Sequence, residues 1–405
     1  MQDELRQKAQ QALHKKAALG EEIDLDRFVA GGKEHSYVEN LKSLPQEEKE
    51  DMLVAGVDTT EKQRTGSFIL EDNTVVHAAS FQDGLEVLGT AAALEKYEWL
   101  RDYYWNLVDI DTDKYTARAG LEGEGGYFIR AMPGVKAVYP IQACMFIAQE
   151  GLLQGAHNMI IAEEGADLQL ITGCTTGRHI GSGMHIGITE IYVKKNAKIT
   201  FTMVHNWSED VAVRPRTVSV VEEGGAYLSN YISMTPVKSV QMYPTTYLKG
   251  KNSVARYHSI MVGYPGSNLD VGSRVVLQGE GSRAEIIARS LTRGGRIVNR
   301  GHLLGEGAGV KGHLECQGLM LSPQGVIHAV PELEARVDGV ALSHEAAVGK
   351  IAQEEVEYLM ARGFSEEEAT AMIVRGFLNV KIMGLPEELE AEVRKAIELS
   401  EHSAL

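Results

Sequence analysis

Between Gly312 and Lys350 the chain reads GHLECQGLMLSPQGVIHAVPELEARVDGVALSHEAAVGK. Cys316, His344 and Glu345 offer a thiolate, an imidazole and a carboxylate, groups an iron site would need. His313, His328 and Glu334 stand close in sequence as possible accessory donors. Alternation puts Leu314, Cys316 and Gly318 on one side of a strand and His313, Glu315 and Gln317 on the other, so the sulfur goes with the apolar side. A packed core cysteine is the plain alternative. His344 and Glu345 are expected where the strands give way to a helix. For these two a solvated pair starting that helix is the plain alternative, a Glu there also suiting the helix dipole. In a strand they would face opposite ways, and both could then reach one site only if the chain bends or two subunits meet.

What must position these residues is a run of short strands. From about Gly125 onward, apolar alternations are broken by Gly or Asn, the residues that most readily take a left-handed backbone. Aligning these breaks at Ala166, Ala197, Ala226, Ser253, Ser282 and Ala308 gives gaps of 31, 29, 27, 29 and 26 residues. Such a period marks a solenoid, most simply a parallel β-helix whose coils bury their apolar side chains on one another. A β-sandwich would place its turns about every 8 to 12 residues.

The flanks read differently. Residues 1–120 are expected to be mostly helical: QDELRQKAQQALHKKAAL, EEIDLDRF and SLPQEEKEDMLVAG are polar and periodic, although FILEDNTVVHAASF suits a strand pair around Asp72 and Asn73. The solenoid is assigned to 121–345. A C-terminal helical domain is assigned to 346–405: AAVGKIAQEEVEYLMARG has near-helical spacing, Ser365 with Glu368 forms a capping box, and Pro386 suits the first turn of a last helix. From residue 352 onward there are twelve Glu against five Lys plus Arg, a solvated face or a dock for a basic partner.

Composition excludes several classes. The 405 residues carry a net charge of −16, which disfavours nucleic acid, since binding there relies on Lys and Arg displacing counterions. Without an apolar span or a signal-peptide core, the expected location is the cytoplasm, with no membrane partner. Three cysteines are too few and scattered for a disulfide framework. No CxxC zinc pair, HExxH helix, GxxxxGK[ST] loop or GxSxG elbow occurs, so nucleotide hydrolysis is not expected of this chain. A carbohydrate-active β-helix would need paired acids along a groove; Arg283, Arg289, Arg293 and Arg296 instead suit a solvated strand face.

YFIRAMPGVKAVYPIQA, NMIIAEEGADLQLITGCT, EIYVKKNAKITFTMVHNW and LSHEAAVGKIAQEEVEYLMARGFSEEEATAMIVRGF together resemble the SufB/SufD family of iron-sulfur cluster assembly proteins over roughly 110–380. The resemblance implies a right-handed parallel β-helix, pairing of two such chains through their β-helices, and a C-terminal part that docks the ABC-type ATPase SufC. Glu354, Glu355, Tyr358, Arg362, Phe364, Met372 and Phe377 would then form the docking surface. Cys316 matches the cysteine on which SufB chains carry a nascent cluster or its sulfur, and which SufD chains lack. His344 matches the histidine of both types and Glu345 the SufB-type carboxylate. The resemblance thus implies a non-enzymatic scaffold of a short, archaeal-type form. It would hold a transient 2Fe-2S or 4Fe-4S cluster for apo iron-sulfur proteins or carriers, as a homodimer or beside a SufD-like chain. The alternative is a SufD-like structural partner without a cluster of its own.

Overall fold

The structure, a computed structural model, describes residues 2–378 except Glu61 and Glu124. It is mainly β, a parallel solenoid of about eight coils with helices at both ends. The expected Pro386 helix and the last part of the 346–405 assignment lie outside the described residues.

Two sheets form the walls. The first stacks Ile141–Ile147, Asp167–Thr176, Lys198–Asn206, Ala226–Ser233, Val254–Gly263, Arg283–Thr292, Lys311–Met320 and Ala341–Lys350, all parallel and in register. The second includes Leu152–Ala162, Ser182–Val193, Asn268–Leu277, Arg296–Gly305 and Val326–Ala335. Alternate side chains from both walls meet in one continuous core, from Phe68 through Leu170, Tyr227 and Ile286 to Leu314 and Cys316.

The period has a simple backbone cause. Seven strands of the first sheet, from Asp167 to Ala341, each begin two residues after a left-handed residue: Gly165, Asn196, Gly224, Asn252, Gly281, Gly309 and Gly339. Their spacings are 31, 28, 28, 29, 28 and 30 residues. These turns stack as well, the N–H of Asn196 donating to Glu223 O at 2.8 Å and that of Asn252 to Glu280 O at 2.9 Å. The alignment by sequence slipped at Ala226 and Ala308, because the left-handed residues there are Gly224 and Gly309 rather than the Gly directly before each Ala. It also missed the coil that turns at Gly339.

The flanks depart from expectation at both boundaries. The strand pair expected around Asp72 and Asn73 forms, Gly66–Glu71 pairing antiparallel with Thr74–Ser80; the departure is that Gly66–Glu71 also pairs parallel with Ile141–Ile147, which joins it to the first sheet. Helices Gln2–Ala12, Gln46–Leu53 and Lys114–Glu122 do form. At the other end Ala346–Lys350 is strand, not helix, because Ala341–Lys350 continues in register along all of Lys311–Met320. The helix starts at Gln353. The Ser365–Glu368 capping box is present, with Ser365 N donating to Glu368 Oε2 at 2.8 Å and Glu368 N to Ser365 Oγ at 3.1 Å.

The N-terminal arm is pinned at His35. His35 lies 3.1 Å from Glu71 and 2.8 Å from Asp72. Burial pushes the Glu71 carboxyl up to about 7, against the opposing pull of His35 and with Glu48 and Asp72 adding to the rise. An acid whose folded pKa is raised binds more protons folded than unfolded, so its contribution to stability falls as pH rises from the ordinary carboxyl range to about 7. Glu71→Gln should therefore flatten the decline in melting temperature across that window, as thermal melts from pH 4.5 to pH 7.5 would show.

Candidate functional site

Lys311–Met320 lies between Arg283–Thr292 and Ala341–Lys350, with Ala288, Cys316 and Ala346 on one rung, Leu314 beside His344, and Glu315 beside Glu345. In-register parallel strands about 4.8 Å apart keep rung partners on the same face. Leu314 and Cys316, 0% and 1% exposed, belong to the core, so theirs is the inner face. His344 consequently lies on the inner side of the last strand and Glu345 on the outer side, and both are exposed because no further described strand covers them. The chain does not bend between them, which leaves them on opposite faces.

Burial pushes the Cys316 thiol up to about 11, Glu315 adding to the rise and Arg289 opposing it. At neutral pH it is therefore a protonated core thiol, and a metal would have to displace the proton. Outside, Glu315 is held by Arg289 Nη1 at 2.7 Å and Gln317 Nε2 at 2.7 Å. Among the described residues, no three His, Cys, Asp or Glu side chains come together to hold a metal ion.

The accessory residues are dispersed. His313 Nδ1 lies 2.9 Å from Ser343 Oγ on the outer face of the first sheet. His328 and Glu334 are on Val326–Ala335, in the other sheet, where Arg336 lies 2.8 Å from Glu334 and holds its carboxyl below the usual range. The other two cysteines are packed: Cys174 in the central core and Cys144 among Leu41, Met52 and Ile69 under the N-terminal layer, and burial raises both thiols.

Of the expected docking residues, Tyr358 and Arg362 pair at the surface, the guanidinium 4.2 Å from the ring centroid and donating to the hydroxyl. Glu354 and Glu355 are exposed in the first turn of Gln353–Met360, and Phe364 and Met372 are exposed too. Phe377 instead packs, with Val374 and Leu378, on an outer apolar stripe of Ile232, Ile260, Val262, Leu291 and Leu319. Sequence reading missed the Arg289–Glu315–Gln317 group. Its signal was the coil period, since Arg289 precedes its rung partner Gln317 by 28 residues.

The fold and these residues define a parallel β-solenoid whose last strands, Val326–Ala335 and Ala341–Lys350, each pair on one side only among the described residues, with a thiol one strand in from that rim. The chain belongs to the SufB/SufD family: residues 145–377 match the family described as SUF system FeS cluster assembly, SufBD core domain. It is 51% identical over 401 residues, 97% of each chain, to an iron-sulfur cluster assembly SufBD family protein of Methanothermobacter thermautotrophicus. A protein of the same description from Archaeoglobus fulgidus is 49% identical over 359 residues, 88% of this chain and 96% of the relative. Iron-sulfur cluster assembly protein SufB of Bacillus subtilis is 29% identical over 365 residues, 87% of this chain and 78% of the relative. No described helix is long and apolar enough to cross a membrane.

Proposed function

We propose that this chain is the scaffold on which an iron-sulfur cluster is built between two solenoid ends, with Cys316, His344 and Glu345 as its ligands. The observation that carries this reading is the location of all three on the last two strands of one sheet, beside a one-sided rim. A second chain on that rim, another copy or a SufD-like partner, would cover the exposed His344 and Glu345 and supply the donors that one chain does not bring together. Each chain contributes one sulfur, and the remaining imidazole and carboxylate ligands hold iron less firmly than a full thiolate set would. Such a cluster can pass to apo iron-sulfur proteins or carriers. A SufC-type ATPase on the C-terminal helices would supply the work, and its closure would strain the rim through the helix packed on Leu319.

The test is anaerobic reconstitution with iron and sulfide. Cys316→Ser should lose most of the absorbance near 400 nm and Glu345→Ala should lose a substantial part, whereas equal spectra for both variants and wild type would remove the site. One observation favours the SufD-like role instead: Cys316 is buried in the core with its thiol held protonated. In that role Cys316→Ser would change packing and leave iron content unaltered.

A further inference from the structure

The proposed iron site leaves one problem on the outer face. Glu315 and Glu345 are rung partners on adjacent strands. At about 4.8 Å between strands, two ionised carboxylates on one face could bridge a single hard cation. Such a pair would retain iron that a scaffold must release.

The structure shows what prevents it. Arg289 reaches across from the preceding strand to Glu315, with Nη1 2.7 Å from Oε1, and both side chains are only 16% exposed. The same Oε1 accepts from Gln317 Nε2 at 2.7 Å. Glu345, one strand further out, is exposed and has no cation within ion-pair distance among the described residues. The guanidinium is a permanent charge in ion-pair contact with Glu315, so it ties up that carboxylate without competing for Glu345.

We infer that Arg289 is a positioning residue that withholds Glu315 from the metal, so that Glu345 acts as a single, exchangeable outer-face ligand. This rests on the assignment of Glu345 to iron, but its test does not need a cluster.

The experiment uses full-length chain with manganese(II) chloride alone as probe, read by the loss of the free Mn(II) EPR signal, in a Cys316→Ser background so that sulfur chemistry is silent. Arg289→Gln frees Glu315 and should tighten Mn(II) binding about tenfold by adding a second carboxylate. Glu315→Gln added to Arg289→Gln should return binding to the starting value, as should Glu345→Ala added to Arg289→Gln. Arg289→Lys keeps the charge and should behave like the background chain. Unchanged Mn(II) affinity in Arg289→Gln overturns the inference, and so does tightened binding that survives loss of either Glu. Circular dichroism and the melting temperature report folding; if Arg289→Gln does not fold, Glu315→Gln alone provides the check. It removes the charge that Arg289 is said to withhold, so it should leave Mn(II) binding unchanged, and a loss of binding in it overturns the inference. Reconstitution of Cys316→Ser and Glu345→Ala tests the scaffold reading separately, so failure of one is distinguishable from failure of the other.

Discussion

Glu190→Ala should cost about 3–5 kcal/mol of stability and loosen the N-terminal layer from the solenoid. Glu190 is fully buried on Ser182–Val193, and its carboxylate accepts the backbone N–H groups of Trp105 at 2.8 Å and Val108 at 3.1 Å, together with that of Leu107. His157 Nε2 lies 2.8 Å from the same carboxylate, its ring stacked on Tyr104. Trp105 itself has φ +54°, a left-handed conformation that a large side chain adopts only when its surroundings hold it there. Removing the carboxylate leaves three donors and an imidazole without their acceptor in an apolar setting, where each loss carries a desolvation penalty. Glu190→Gln keeps one acceptor oxygen and should lose roughly half as much. Urea denaturation compares the three chains, and limited proteolysis should show earlier cleavage between residues 97 and 110 in Glu190→Ala. Wild-type resistance there would mean that apolar packing of Trp105, Val108 and Ile110 on Ile186 and Ile188 holds the layer unaided.

The solenoid was legible because its cause is local. A left-handed residue two positions before seven strands of the first sheet leaves a Gly or Asn in the sequence, and inward alternation leaves Leu314 and Cys316 on one parity. The layer around Glu190 was not legible, since it pairs a carboxylate with backbone N–H groups more than 80 residues away, and backbone donors have no sequence signature. The strand pair around Asp72 and Asn73 was legible from its alternation, but its place in the solenoid was not, since only the parallel pairing of Gly66–Glu71 with Ile141–Ile147, some 75 residues on, makes it part of the first sheet. At the far boundary Val348 fits a helical period and a strand equally, and ten rungs of pairing with Lys311–Met320 decide for the strand. Cys316, His344 and Glu345 were legible as residue types, and the caution that neighbours in a strand face opposite ways describes their geometry. Whether a partner unites the two faces depends on a second chain, which no pattern within one chain encodes.

Simultaneous Tyr358→Ala and Phe364→Ala should abolish co-purification with the proposed ATPase while leaving the melting temperature within a degree or two of wild type. Tyr358 is 57% and Phe364 38% exposed, so neither holds the chain together, and an aromatic anchor at the centre of an interface typically carries about 2 kcal/mol or more. Loss of two such anchors weakens binding about a thousandfold, since each 1.4 kcal/mol is a factor of ten. Glu354 and Glu355 beside them should make the remaining affinity fall as salt is raised, as expected for an acidic rim meeting a basic partner. Truncation after Gly349 should also remove docking, but less cleanly. It strips Val374, Phe377 and Leu378 from Ile260, Leu291 and Leu319, baring an apolar stripe on the outer side of the Cys316 strand. The truncated chain should therefore aggregate or melt earlier, where the double alanine chain should not. Wild-type recovery of the ATPase by the double alanine chain would place the dock elsewhere and remove the proposed route to the rim through the helix on Leu319.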